Sequence, residues 1–419
     1  MAKRACAVPL LLLAIASLAC RAAPVPRPRP PPAKRRQPRP HPPPPRWATI
    51  FPAELSSQGN FEVALMVDRA DSVVIAHTEP SGFESFSGRV TVRRFRPGLR
   101  GPAEAKWPTL GPRGALGFAA LLSLAAEPGS NTPYLAFQDS IPPRVVRFNG
   151  TAGAWVDVGP NPAQPVNLLS TRTSLAFDNI TRPLLAFSRS DDSKVEVLRF
   201  DGGAWGNLGA AGLAAGVPGS LAGSLVVLPD GTPLVAVEPF VQPFPTPLAF
   251  DGSVWAPLGG PLPAILSSPS NGRGASLALD RAGVPWLAYG DATNQLVALR
   301  FTSSAPGNEW QPVGPAPLAG PFPPDVQLLQ VTLATCLAFN SRNVPHLAYQ
   351  MISQPQFNST ILRYSADSNA WAPLSPDVVI PSFPTTVSSR PAVTIAFDSK
   401  DVLYAAFLDS SRTAVVYRW

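Results

Sequence analysis

Short apolar runs of four to seven residues, bounded by Gly, Pro, Asn and Asp, follow one another along most of the chain. Runs of this length and flanking chemistry predict β-strands. One stretch shows the order: SLAFD (174–178), a turn, PLLAF (183–187), VEVLRF (195–200), Asp201-Gly202, then WGNLG (205–209). These are strands a, b, c and d of one unit. Strands a and b are almost continuously apolar, which predicts that both of their faces are covered. The c–d turns are tight and polar: Asn149-Gly150, Asp201-Gly202 and Asp251-Gly252. Such pairs suit hairpins because Gly, Asn and Asp tolerate positive φ.

The unit recurs. A tryptophan opens strand d at Trp107, Trp155, Trp205, Trp255, Trp310 and Trp371, with spacings of 48, 50, 50, 55 and 61 residues. That period matches a four-stranded propeller blade or a long solenoid turn. Strand a returns as SLAAE (123–127), SLALD (276–280), CLAFN (336–340) and TIAFD (394–398). Strand b carries an alanine in all seven copies: Ala76, Ala136, Ala186, Ala236, Ala288, Ala348 and Ala406. A small side chain in one fixed register predicts close approach of a neighbouring layer.

The seventh copy ends the chain at AVVYRW (414–419) and has no strand d. The missing piece stands at the other end, where Trp47-Ala-Thr-Ile50 precedes the first strand a, FEVALMVD (61–68). The pattern therefore predicts an all-β fold, a seven-bladed β-propeller of four-stranded blades, closed by Trp47–Ile50 in the last blade. Closure of this kind removes two free sheet edges.

Residues 47–419 resemble β-propeller repeat proteins. The a–b part (D-x-x-G-x-P-x-L-A) is similar to NHL-type repeats, with an aromatic after the Ala where that family has Asp. The c–d part (R-F-D-G-x-x-W) is similar to propeller lectins. No kelch Gly-Gly doublet stands at its usual place, and the WD40 dipeptide is missing. The resemblance implies an architecture and carries over no site residues.

Composition adds a leader and a stalk. The chain has 53 Pro, 3 Cys, 3 His and a net charge of +7. So much proline leaves little room for long helices, since it costs about 3 kcal/mol inside one. The charge is uneven. Residues 1–46 hold ten basic and no acidic residues, which leaves 24 basic and 27 acidic beyond them, a net of −3. The basic balance thus belongs to the leading segment and argues against nucleic acid as a partner of the body. Residues 1–20 have a basic start, an apolar run from about Val8 to Ala19, and Ser17-Leu18-Ala19 before Cys20. This is the layout of a secretory signal peptide. The run is too short for a span of about 20 residues. Cys20 after a small-residue site offers an alternative, lipid anchoring. Residues 21–46 contain 12 Pro and 8 basic residues and cannot form a core. As polyproline II they would reach roughly 80 Å. A cationic stalk of this kind, with Lys34, Arg35 and Arg36 together, would meet an anionic surface.

The d–a connections (159–173, 209–223, 259–274, 314–334 and 375–391) are long and unlike one another, and the b–c connections vary too. Varied loops on a rigid scaffold are where binding residues concentrate, so the d–a/b–c face is the expected ligand face. Strand b is followed two residues after its aromatic by Glu79, Asp139, Asp291 and Asp409. These four acids are the candidate ligand contacts; their alternative role is to cap their own turns. His77 and His346 occupy aromatic packing positions. Cys336 aligns with Ser174 and Ser276 as a small buried residue. Asn149, Asn179 and Asn358 head Asn-x-Ser/Thr sequons and are candidate glycosylation sites. The d-strand tryptophans serve packing or stack on sugar rings. Neither a G-x-S-x-G, H-E-x-x-H, Walker nor EF-hand pattern occurs, and no metal or cofactor is expected. The sequence thus predicts a secreted, monomeric, non-enzymatic binding or scaffold module, bearing on polysaccharide or a surface protein. The alternative is a glycan hydrolase or lyase with acids at the channel mouth.

Overall fold

A computed structural model describes residues 47–51, 55–56, 60, 62–79, 88–97, 103–139, 143–160, 173–188, 194–209, 213, 220–239, 244–262, 273–290, 296–304, 307–315, 318, 334–353, 356–374, 393–409 and 412–419. The leader, the stalk and most of the d–a connections lie outside these residues. So do Asp291 and the side chain of Asn358. Pro45–Trp419 is one compact unit.

Each predicted strand b is a strand and is buried along nearly its whole length, as in Pro133–Gln138, Pro183–Ser188 and Leu403–Leu408. All seven repeated alanines are fully buried. Strand d is the exposed edge, as in Trp205–Asn207 and Trp255–Pro257. The gradient follows from composition: aliphatic runs in a and b, polar and proline positions in d.

Five antiparallel sheets have four strands each. Four of them follow chain order, three being Ser220–Val227 to Trp255–Pro257, Arg273–Leu279 to Gly307–Pro312, and Ala334–Phe339 to Ala370–Pro373. Thr173–Phe177 to Trp205–Asn207 make the fourth. The fifth joins the chain ends: Ala48–Phe51 pairs with Ala414–Arg418, beyond which lie Leu403–Leu408 and Val393–Phe397. The first two units differ from the predicted separate four-stranded blades. Their strands, from Val63–Val67 to Ala154–Asp157, form one seven-stranded sheet. The segment around Trp107 follows a short helix, Ala103–Lys106, and runs beside Gly88–Arg94 through a bridge from Arg93 to Thr109, with Arg94 N–H donating to Pro108 O at 3.1 Å and Leu110 N–H to Val92 O at 2.8 Å. Pro108 has no N–H to extend that ladder. The start of Gly88–Arg94 pairs instead with Phe118–Ala126, through Gly88 with Ala119 and Arg89 with Phe118.

Strand a of each unit packs on strand a of the next, and Val393–Phe397 packs on Val63–Val67. Side chains stitch these inner strands together. Leu175 N–H donates to Ser123 Oγ at 2.9 Å, Leu225 N–H to Ser174 Oγ at 3.0 Å, and Leu337 N–H to Ser276 Oγ at 3.0 Å. Cys336 Sγ takes the same place for Ile395 N–H at 3.4 Å, which explains why a thiol stands in a series of serines. Bulges interrupt the inner strands near Leu121 and Gly274. The N–H groups they leave beyond the ladder are met by carboxylates of the preceding unit: Leu122 N–H by Glu62 and Ala275 N–H by Glu238, both at 2.7 Å.

The outer edge is stitched by tryptophan. Trp107 Nε1 donates to Ile50 O, Trp155 to Leu110 O, Trp205 to Val158 O, Trp255 to Leu208 O, Trp310 to Leu258 O and Trp371 to Val313 O. The lengths run from 2.6 to 2.8 Å. Each acceptor is the last residue of the preceding Trp-x-x-Leu motif, so the motif's two ends serve neighbouring units. Trp47 departs from the series: its Nε1 is buried with no hydrogen-bond partner among the described residues, and its ring packs on Trp419.

Candidate functional site

The acids at the ends of strand b have protein partners. Glu79 accepts from Arg113 Nε at 2.8 and 2.9 Å. Asp139 is paired with Arg144 at 2.8 Å, and Arg144 also holds Asp157. Asp409 Oδ1 accepts the N–H of Thr413 at 2.9 Å, so it caps its own turn. Their common place in the repeat does not give them a common role. His77 is fully buried against Phe51, and burial among Arg93 and Arg113 holds its pKa down at about 3. His346 packs on Phe397, and burial holds its pKa at about 4. Burial pushes the Cys336 thiol up to about 11. Among the described residues no group of three or more His, Cys, Asp or Glu could hold a metal ion.

The acids that end strand a turn the chain. Asp68, Asp178, Asp280 and Asp398 each accept, on Oδ1, the N–H groups two and four residues on. The residue two places before strand b has positive φ in every unit: Asp71, Asn131, Thr181, Gly231, Gly283, Asn343 and Asp401. These turns set the first residue of strand b opposite the last of strand a, as Pro183 faces Phe177 and Pro133 faces Ala126.

An open groove lies where the a–b turns of the third and fourth units and the c–d turn of the fourth meet. Its third-unit wall is Asp178, Asn179, Arg182, Leu184, Arg199 and Leu208. The fourth unit supplies Asp230, Gly231, Thr232, Pro233, Phe250, Asp251 and Gly252. Leu184 and Leu208 are buried and Phe250 is half-buried, so the floor is apolar; Asp230 and Asp251 at the rim are exposed. Ile180 and Val254, large exposed apolar side chains, adjoin the rim in sequence. Each rim acid is engaged by its own turn. Asp230 accepts Thr232 N–H at 2.9 Å. Asp251 accepts the N–H groups of Val254 and Ser253 and the Ser253 hydroxyl, each at 2.8 Å. These bonds hold the Asp251 carboxyl below the usual carboxylate range. Asp178 is bound by Arg182 Nε at 2.7 Å. Apolar floor, cationic and anionic rim groups, and two glycines that let a ligand approach backbone make a site for a ligand with a flat apolar side and polar edges.

Sequence reasoning placed ligand on the d–a/b–c face, whose d–a connections lie mostly outside the described residues, and did not consider this groove on the a–b/c–d face. Its signal was readable in the R-F-D-G pattern. An arginine precedes the aromatic of strand c at Arg94, Arg147, Arg199, Arg300 and Arg363, and Arg418 stands at the same place; the fourth unit has Ala249. Asn179 places its amide against Gly231 in this groove, where an added Cβ would lie 2.8 Å from Nδ2. Asn149 caps its turn by accepting from Thr151 and Ala152 N–H.

No protein-family model and no curated protein matches the chain. Solved structures do. A PL25 ulvan lyase, a polysaccharide lyase bound to -[GlcA(1-4)Rha3S]-, matches with TM-score 0.51 at 9% identity, over 88% of this chain and 95% of that one. The β-propeller domain of Cps50 (Swd1) from Myceliophteria thermophila matches with TM-score 0.50 at 9% identity, over 86% and 96%. The six-bladed fucose-recognising lectin of Aleuria aurantia matches with TM-score 0.45 at 14% identity, over 71% and 90%. At these identities the likeness is one of fold, and the fold is the β-propeller.

Proposed function

We propose that this chain is a secreted, non-enzymatic carbohydrate-binding module, made of a leader (1–20), a cationic stalk (21–46) and a closed ring of seven blades (47–419). The seven copies in the sequence, the pairing of Ala48–Phe51 with the last strand, and the packing of Val393–Phe397 on Val63–Val67 support the ring. On this reading the seven-stranded sheet is two blades joined edge to edge.

One observation carries the function: the groove between the third and fourth units joins an apolar floor to polar rim groups whose carboxylates are engaged in turns or an ion pair. Sugar rings present that combination of faces and edges. A glycosidase needs one carboxyl of raised pKa as its acid. The Asp251 carboxyl is shifted the other way, so it does not supply that acid. The stalk, with Lys34, Arg35 and Arg36, would tether the ring to an anionic surface.

A glycan array probed with the secreted full chain tests the reading. Binding without release of reducing or unsaturated ends is expected, and it should fall when Asp230 and Asp251 are both changed to Ala. Cleavage products would make the protein an enzyme. Silence on the array with a protein captured by pull-down would replace the glycan by a protein ligand. Binding that ignores the groove but fails when Glu79 and Asp139 are changed would return the site to the d–a/b–c face. The mass of the mature N-terminus separates plain cleavage from lipidation at Cys20.

A further inference from the structure

The register of strands b and c explains why this groove is open. The strand-c position that carries Arg faces a fixed position on strand b: Tyr134 faces Arg147, Trp286 faces Arg300, His346 faces Arg363 and Tyr404 faces Arg418. In those units a ring fills the space. Trp286 packs on Phe339 of the next unit, lies under the Arg300 guanidinium at 5.9 Å, and leaves Asp280 3.8 Å from Arg300. In the third unit the facing residue is Leu184. The strand-d residue beside Arg199 is Gly206, where an added Cβ would meet nothing within 4 Å. Asp178, the counterpart of Asp280, is taken by Arg182 at 2.7 Å. Arg199 is thus left half-exposed on the groove wall, with no ion pair, hydrogen bond or ring contact among the described residues. The other two aliphatic positions do not repeat this. Leu234 faces Ala249, and Val74 faces Arg94, whose Nε is buried.

We infer that Arg199 receives the carboxylate of an acidic sugar, a hexuronate residue, in this groove, and that Leu184, where other units carry a ring, leaves room for it. This rests on reading the groove as a sugar site. A guanidinium fork matches a carboxylate with two parallel hydrogen bonds. The carboxylates of Asp230 and Asp251 on the facing turn would accept the hydroxyls of the same ring. Arg147 is hydrogen-bonded to Tyr134, and Arg300 lies over Trp286 beside Asp280; at Arg199 the ligand supplies the partner.

The test is calorimetric titration of the full chain with a hexuronate oligomer and with its neutral hexose counterpart, for the natural protein and for Arg199→Ala, Arg199→Lys and Leu184→Tyr. Thermal unfolding of each variant checks the fold, and Leu184→Tyr installs the residue that Tyr134 and Tyr404 already provide in their own units. The expected result is one site per chain, preference for the uronate, loss of roughly tenfold or more in Arg199→Ala, a smaller loss in Arg199→Lys, and no binding in Leu184→Tyr. Equal binding of the neutral oligomer, unchanged in Arg199→Ala but abolished in Leu184→Tyr, would overturn the acidic ligand and keep the sugar groove. Uronate binding unaffected by Leu184→Tyr would overturn the inference by placing the ligand elsewhere. Failure of both oligomers would overturn it together with the proposed function.

Discussion

Asp71 accepts both the backbone N–H and the hydroxyl of Ser399, 328 residues further along the chain, at 2.7 and 2.6 Å. The contact joins the a–b turn of the first unit to that of the seventh. Asp401 grips the Ser341 hydroxyl in the same way at 2.7 Å, so it is one link of a series between neighbouring turns. The Ser399 bonds hold the Asp71 carboxyl below its ordinary value of 3.8. Its stabilisation is therefore complete above that value and is lost as pH falls through the folded pKa. Asp71→Ala should cost about 1 kcal/mol in urea unfolding at pH 7, and the difference from the natural chain should vanish in strong acid.

Tryptophans of the series should differ by their bonds. Trp255→Phe leaves the Leu208 carbonyl without its 2.6 Å donor, at a cost of about 1–3 kcal/mol for an unmet buried acceptor beyond lost packing. Trp47 makes no such bond, so Trp47→Phe should cost packing alone. Unfolding midpoints of the two variants check the ordering.

His77 should make the fold sensitive to acid. Its folded pKa of about 3 lies below the unfolded 6.5, mainly through burial. The unfolded chain then binds the extra proton, and stability falls as pH drops below 6.5. His77→Phe restores the residue type found at Phe137 and Phe407. Its stability should decline less steeply between pH 6.5 and 4, measured by denaturant midpoints.

Cys336 should be inert and replaceable. Its thiol is raised to about 11, so alkylation at pH 8 should require unfolding. Cys336→Ser should lie within about 1 kcal/mol of the natural chain, because serine fills this position in neighbouring units. Cys336→Val should cost more, since Ile395 N–H would lose its acceptor.

Thr181 is the β-branched residue among turn positions of positive φ otherwise held by Asp, Asn and Gly. Thr181→Gly should stabilise by about 1 kcal/mol, read from thermal unfolding. It also removes the sequon at Asn179, whose amide lies in the groove. A glycan there would compete with ligand, so binding by glycosylated material should rise in this variant.

Much of the molecule was set by local pattern alone. Strand order, polar turns, the tryptophan period and the buried alanines all follow from which residues sit at which spacing, because period and turn chemistry act over a few residues. The pairing of Trp47–Ile50's segment with the chain's end followed from counting copies. Tertiary structure decided what depends on distances between residues a whole repeat apart. It joined the first two units into one sheet, because Gly88 and Arg89 pair with Ala119 and Phe118 of the next unit. It sent Glu79 to Arg113 and Asp139 to Arg144, though their places in the repeat look alike. It gave Asp178 to Arg182 and left Arg199 facing an open groove, because Leu184 is too small to fill the space that Trp286 and Tyr404 fill elsewhere.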